Sequence, residues 1–320
     1  MKKTSLLFAL CLAFSAAMAD FPVNPTFTEK EVTLHTPTGD IFGLLTITQQ
    51  AQQMPLVIIV AGSGPTDHNG NSPMGVKAAP YKMLAEDLAG LGISALRFDK
   101  RGIAKSARAM VAESELRFDH YIDDVVAWVN LMRLDEHFTK IIIAGHSEGS
   151  LIGMVAAAKA KADGFISLAG PGRPIDQILS EQLQNAPESM REEIGRVMQS
   201  LKNGETVESV SMALFSIFRP SVQHYLINWM QYDPAVEIEK LRVPVLIIHG
   251  ATDIQVPESD AEMLARAKYD AELSVFENMN HVLKNSEADP AKNMATYGDP
   301  SLPLTEGLVE VIAEFIKRIE

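Results

Sequence analysis

Apolar positions along the chain follow two alternating patterns, short β-rich runs and longer windows with helical spacing. The β-rich runs are Val32 to Thr36, Ile41 to Thr48, Leu56 to Val60, Ser94 to Phe98, Ile141 to Ala144, Gly164 to Leu168, Val245 to His249 and Leu273 to Phe276. The first two predict an antiparallel hairpin, because Thr38-Gly39-Asp40 between them is a turn cluster. The others read as buried strands. Leu56 to Val60, Ile141 to Ala144 and Val245 to Ile248 are continuously apolar, the pattern of a parallel strand covered on both faces.

Between the strands fall helical windows at Tyr81 to Leu91, Tyr121 to Leu134, Leu151 to Ala162, Glu258 to Lys268 and Glu306 to Ile319. Strands alternating with helices predict an α/β fold with a mostly parallel sheet between two helical layers. The window from Arg173 to Leu241 breaks the rhythm with helical pattern and no convincing strand. It is expected to be a helical insertion over the sheet rather than a separate domain. There is no repeat, low-complexity tract, charge block or Gly/Ser linker.

The first nineteen residues carry a different signal. Lys2 and Lys3 precede an apolar run, Leu6 to Phe14, and Ala17-Met18-Ala19 is a small-x-small cleavage site before Asp20. This predicts a signal peptide at 1–19, one α/β domain at 20–320 carrying the helical insertion at about 173–241, and a periplasmic or secreted mature protein. Cys11, the one cysteine, leaves with that segment, and Leu10 before it does not fit a lipid-attachment site. The mature chain then has no thiol nucleophile, disulfide or thiolate metal site. No later run is long enough to insert the mature chain stably in a membrane.

The 320 residues are 47% hydrophobic and 22% charged, enough for a large core. A formal charge of −13 for the full chain argues against nucleic acid or any partner held through its phosphates.

The chemistry concentrates at Gly145-His146-Ser147-Glu148-Gly149, between an apolar strand and a small-residue helix. A serine hydroxyl becomes a useful nucleophile when a sharp, strained turn presents it beside a base, and flanking glycines remove the Cβ atoms that such a turn cannot hold. Strand, turn and helix is the context this nucleophile elbow requires. Chain order then calls for an acid and after it a base. Asp253, in the loop after Val245 to His249, is the candidate acid, since catalytic groups gather beyond the carboxyl ends of parallel strands. His224, His249 and His281 are the histidines after Ser147, and His281 alone lies downstream of Asp253. It follows the last strand, so it is the candidate base. His249 reads as a structural side chain, and His146 as one packed beneath the turn.

An acyl-transfer site also needs N–H donors for a tetrahedral oxyanion. Glu148 supplies one backbone N–H, and Ser63 in the glycine-rich loop Ala61-Gly62-Ser63-Gly64-Pro65-Thr66-Asp67 is the candidate for the second. The same loop lacks the third glycine of a dinucleotide fingerprint and is followed by no Gly-Lys-Ser/Thr. There is no His-Glu-x-x-His motif, and Asp67-His68 reads as a solvated loop pair. No cofactor and no metal are expected.

These residues together resemble the α/β-hydrolases, close to the serine aminopeptidase S33-type hydrolases and their esterase relatives. The resemblance runs from about Glu31 to Ile319 and rests on Ala61 to Asp67, on Arg97-Phe98-Asp99-Lys100-Arg101-Gly102 with Ser106, on Gly145 to Gly149, on Pro244 to Asp253 and on Asn280-His281. It implies an eight-stranded sheet, a helical cap and a Ser147, Asp253, His281 triad. Two departures stand out. Ile103-Ala104 replaces a position where relatives often carry glycine, a change that concerns a structural loop. Ala61 replaces the histidine of the common His-Gly oxyanion form, so Ser63 is assigned by aligning the glycine.

The expected activity is cleavage of a carboxylic ester with a small or medium acyl group through an acyl-enzyme, with action on short peptides of the prolyl or aminoacyl type as the alternative. A binding protein on a hydrolase fold is the reading from another class. A peptidase trimming a free N-terminus needs a carboxylate for the ammonium, and Glu148 or an acid of the insertion would have to supply it. The insertion's Met190, Met198, Met212, Phe215, Phe218, Tyr225, Trp229 and Met230 either wall a substrate pocket or form that segment's own core.

Overall fold

Eight strands form one sheet in the computed structural model, which describes residues 27–319. The signal-peptide expectation for 1–19, with Cys11, lies outside the described residues. The strands are β1 (Phe27–Thr36), β2 (Gly39–Thr48), β3 (Met54–Val60), β4 (Ser94–Phe98), β5 (Phe138–His146), β6 (Gly164–Leu168), β7 (Val245–Gly250) and β8 (Glu272–Phe276). Their order is β1-β2-β4-β3-β5-β6-β7-β8, with β1, β2 and β4 joined antiparallel and every later pair parallel. The hairpin is in register from Phe27 opposite Thr48 to Thr36 opposite Gly39.

The helices are α1 (Pro80–Gly90), α2 (Phe118–Met132), α3 (Glu148–Ala160), α4 (Ile175–Gln182), α5 (Glu188–Lys202), α6 (Phe215–Phe218), α7 (Pro220–Trp229), α8 (Pro234–Glu239), α9 (Glu258–Ala267), α10 (Pro290–Thr296) and α11 (Leu308–Arg318). Along β3, Leu56, Ile58 and Val60 face a layer that includes Trp128 and Val129 of α2 and Leu151 and Val155 of α3. Val57 and Ile59 face the opposite layer, with Leu84 and Leu88 of α1 and Ile312 and Ile316 of α11. The period of two therefore sends consecutive aliphatic side chains into two cores.

The sheet corrects one expectation. β8 is an edge strand, with Leu273 and Val275 42% and 39% exposed, so it is not buried on both faces. Its neighbour β7 covers one edge only and nothing among the described strands pairs with the other. A second difference is α10, whose seven residues carry too little apolar period to be read as a helix.

Between β6 and β7 lie α4 to α8; α5 to α7 bury Ile194, Val197, Met198, Leu201, Phe218 and Leu226, with Leu214, against one another, while Ile238 of α8 joins the main core. The insertion is held to the body by apolar packing, with Trp229 stacked on Phe118 at 5.2 Å, and by polar contacts. Arg219 and Ser221 hold Glu113, and Asn228 and Tyr232 hold Asp119 at the start of α2.

Ala104 adopts φ 43°, in the left-handed region that favours glycine, at the position where the resemblance led one to expect a glycine. The segment before it is firmly held. Asp99 accepts from the backbone and ring of His68 and from Lys105 N–H, and Arg101 makes a two-pronged ion pair with buried Asp124. His68 is thus docked on Asp99, and Asp67 accepts the N–H groups of Asn69 and Asn71. The pair read as solvated is instead a part-buried anchor of the loop.

Candidate active site

β5 runs directly into α3 through Ser147, which sits at φ 55°, ψ −125°. That geometry is costly for a residue with a Cβ and is the strained turn the pentapeptide called for. The glycines have a spatial reason. A Cβ on Gly145 would lie 2.1 Å from the carbonyl oxygen of Gly149, and one on Gly149 would lie 2.3 Å from that of Val60. The Ser147 side chain does not cap the helix that follows, so its hydroxyl is left for the cavity.

Ser147 and His281 line the same cavity of about 490 Å³, together with Gly62, Ser63, Tyr81 and Tyr297. His281 Nδ1 is 2.7 Å from Asp253 Oδ2, with both side chains nearly or fully buried. Asp253 also accepts the N–H groups of Gln255 and Val256 at 2.7 and 3.0 Å. Burial pushes the Asp253 carboxyl up, but its hydrogen bond to His281, the electrostatic attraction of that ring and the two N–H donors together hold it below the ordinary carboxylate value. With the carboxylate charged, His281 donates from Nδ1 and keeps the lone pair on Nε2. No hydrogen bond joins Ser147 to His281 in this structure; they meet across the cavity they share.

The loop bearing His281 is held by Asn280. Its Oδ1 accepts the N–H groups of Val282 and Lys284, and its Nδ2 donates to Thr296 Oγ1 at 2.7 Å and Asn293 Oδ1 at 3.2 Å. The unforeseen α10 thus fixes the position of the imidazole.

Gly62 N–H donates to Tyr81 Oη at 3.2 Å, Tyr81 lies 2.8 Å from His146 Nδ1, and His146 Nε2 lies 2.7 Å from the His281 carbonyl oxygen. The directions follow from chemistry. A carbonyl only accepts, so His146 carries its proton on Nε2 and takes the Tyr81 O–H on Nδ1. Burial, and then the nearby His281, push His146 down to about 3, while burial pushes the Tyr81 phenol up, which keeps both neutral. His146 does pack under the turn, and it also ties the turn to the loop that carries His281, its ring 4.7 Å from that of His281. His249 is buried and donates to the Val256 carbonyl oxygen, a structural role.

His146 has a consequence for stability. Its folded pKa of about 3 lies below the ordinary 6.5, so as pH falls between those values the unfolded chain takes up a proton that the folded chain refuses. Stability from this residue is therefore fully present above pH 6.5 and lost on acidification, by up to about 1.4 kcal/mol per pH unit. Urea melts at pH 7 and pH 4.5 are expected to show a smaller acid loss for His146→Gln than for the parent.

Among the candidate oxyanion donors, Gly62 N–H is already given to Tyr81, which leaves Ser63 N–H as the next in the loop. Glu148 N–H opens α3. The Glu148 side chain, whose direction the sequence left open, is buried and paired. Tyr225 O–H donates to its Oε1, and Lys100 Nζ lies 3.5 Å from its Oε2. It borders a second cavity of about 560 Å³ walled by Tyr121, Val222, Tyr225 and Trp229, which shares Ser63, Gly64 and Pro65 with the first. From the aromatic and methionine stripe of the insertion only Tyr225 and Trp229 reach this cavity. Met198 and Phe218 lie in the insertion's own core, and Met212 and Phe215 are exposed. Sequence reasoning missed the part of Tyr81 and the pairing of Lys100 and Tyr225 with Glu148, contacts that hold the site from three different places in the fold.

Among the described residues no cluster of His, Cys, Asp and Glu could hold a metal ion, and no helix is long and apolar enough to cross a membrane.

Comparison with known proteins extends this picture. The chain is 26% identical over 295 residues to Esterase EstD of Thermotoga maritima, covering 89% of this chain and 67% of that protein. Among solved structures it is similar to Est1E of Butyrivibrio proteoclasticus with ferulic acid bound, at a TM-score of 0.61 and 18% identity, over 90% of this chain and all of that one. It is similar too to the acylaminoacyl peptidase of Pyrococcus horikoshii, at a TM-score of 0.56 and 14% identity, over 92% of this chain but 42% of that one. These two share its fold. The model of the family "Serine aminopeptidase, S33" matches residues 74–288, more than half of the sequence and both sides of the elbow. On that match, and with an eight-stranded α/β-hydrolase sheet, the chain belongs to the serine aminopeptidase S33 family of hydrolases.

Proposed function

We propose that the protein is a serine esterase that cleaves a carboxylic ester of small or medium acyl size through an acyl-enzyme. The observation that carries this is one cavity holding the Ser147 hydroxyl, on a strained elbow, and an imidazole oriented by Asp253. In the proposed reaction Ser147 Oγ attacks the carbonyl carbon while His281 Nε2 takes its proton, and the oxyanion lies on the N–H groups of Ser63 and Glu148. The tetrahedral intermediate collapses, His281 returns the proton to the leaving alcohol, and Ser147 keeps the acyl group. Water then repeats the sequence and frees the acid. Asp253 fixes the imidazole tautomer and stabilises its cationic form.

The ester reading is favoured over aminopeptidase action by the acids around the site. Recognition of an N-terminal ammonium needs a carboxylate with free lone pairs in the cleft, because a buried cation without a partner is costly. Glu148 is already engaged by Lys100 and Tyr225, and Glu113 by Arg219 and Ser221. The EstD resemblance over most of the chain points the same way. Tyr81, Val282, Met294 and Tyr297 give the cavity an apolar wall for an acyl chain or ring.

A paired assay tests the choice. The protein is expected to hydrolyse p-nitrophenyl butyrate with kcat/KM at least about a hundredfold above that for prolyl or alanyl p-nitroanilide, since differential transition-state binding of this size follows from one missing charge partner. The reverse preference would establish the peptidase, and failure of a fluorophosphonate to label Ser147, with no turnover of either, would leave a binding protein.

A further inference from the structure

Lys100 is a buried cation that the proposed chemistry does not use. It follows β4, its side chain is 4% exposed, and its ammonium makes its closest contact, 2.6 Å, with the carbonyl oxygen of Gly62. We infer that Lys100 is a positioning residue of the oxyanion site, which clamps the Gly62–Ser63 peptide so that Ser63 N–H faces the reacting carbonyl. This inference rests on the assignment of Ser63 as a donor.

The argument is one of peptide geometry. The Gly62 C=O and the Ser63 N–H belong to one planar trans unit, so they point to opposite sides of it. Holding the oxygen on one side aims the N–H to the other. A clamp is needed because of what the elbow demands of residue 62. A Cβ there would stand 3.0 Å from the Ser147 Cβ and 3.4 Å from the His146 ring, so the position suits glycine, whose backbone rotates most freely. Both polar groups of Gly62 are therefore tied down from outside, its N–H by Tyr81 and its C=O by Lys100. An ammonium on the carbonyl also polarises the amide and makes Ser63 N–H a stronger donor to a developing negative charge.

The ammonium is itself held in place. Glu148 Oε2 is 3.5 Å away, and the Tyr121 ring presents its face at 5.0 Å. Tyr225 from the insertion binds the other oxygen of Glu148, so the chain of contacts runs from the cap through Glu148 and Lys100 to the oxyanion peptide. A charge buried this way is costly unless it is used and paired.

The test measures kcat and KM with p-nitrophenyl butyrate, and inhibition by an alkyl trifluoromethyl ketone, whose tetrahedral adduct places an oxyanion on the same donors. Lys100→Met, Lys100→Arg and Ser147→Ala are compared with the parent. Losing one donor of this kind costs about a hundredfold or more in kcat, so misaiming it in Lys100→Met is expected to cost about ten- to a hundredfold. KM should stay within about twofold, the ketone should weaken by the same factor as kcat, and Lys100→Arg should recover part of the loss. Because Met strands the Glu148 charge, the Lys100→Met/Glu148→Gln double variant gives the same readout if the single variant is poorly folded.

A folded Lys100→Met, or the folded double variant, with unchanged kcat and ketone affinity beside an inactive Ser147→Ala would overturn the positioning role and leave the esterase reading standing. So would a loss confined to KM. Activity retained by Ser147→Ala would instead remove the reading on which the inference rests.

Discussion

Ser147→Ala is expected to lower kcat for p-nitrophenyl butyrate by about 10⁴- to 10⁶-fold, the range seen when a serine nucleophile acting with its base is removed. The fold should not notice. The substitution keeps the Cβ and the backbone at φ 55°, and the hydroxyl caps no helix, so no structural bond is lost. Thermal unfolding should therefore match the parent while turnover disappears. The pairing of the two measurements gives the prediction its force, because a merely structural serine at a tight turn would move stability and activity together. Strain at such a position is tolerated where the surrounding structure enforces it, here by β5 running into α3 without a connecting loop. An alanine variant with near-parental kcat would exclude an acyl-enzyme on Ser147.

The parts of this site that could be read from the chain are those whose signal is local. Continuous aliphatic runs located the central strands β3, β5 and β7, because a buried parallel strand must be apolar on both faces, while the turn cluster Thr38-Gly39-Asp40 located the β1–β2 hairpin. Ser147 announced itself through its flanking glycines, and Asp253 and His281 through their place after strands β7 and β8. What lay hidden is tertiary. Lys100 meets Gly62 and Glu148 across 38 and 48 residues, and Tyr81 meets His146 across 65, and no periodicity encodes such pairs. The same limit explains the misread faces. Leu273 and Val275 have the composition of buried strand residues and are exposed only because β8 is the last strand. The direction of Glu148 could not be derived from its neighbours in sequence, since its partners come from the β4 loop and from α7.

The second large effect concerns space rather than chemistry. Gly145→Ala is expected to destabilise the protein by more than about 4 kcal/mol, a cost reserved for changes that force the backbone apart. The added Cβ would lie 2.1 Å from Gly149 O and 2.6 Å from Ser150 Cα, so the clash is with main chain that cannot rotate away. Relief requires α3 to withdraw from β5, which opens the layer of Leu151 and Val155 against Ile143 and dismantles the turn that holds Ser147. With total stabilities of about 5–15 kcal/mol for natural domains, the variant should melt far below the parent or fail to accumulate in soluble form. Two other glycines separate this from a general effect of alanine. At Gly153 a Cβ would stand 2.9 Å from a methyl of Ile143 and 3.1 Å from the Phe165 ring, side chains able to shift, so a smaller loss is expected. At exposed Gly195 in α5 nothing lies within 4 Å, and alanine there should stabilise the helix by about 0.5–1 kcal/mol. Urea denaturation of the three variants, in the order Gly195, Gly153, Gly145 from most to least stable, checks the reading; a Gly145→Ala protein as stable as its parent would show that strand and helix do not approach as closely as the elbow demands.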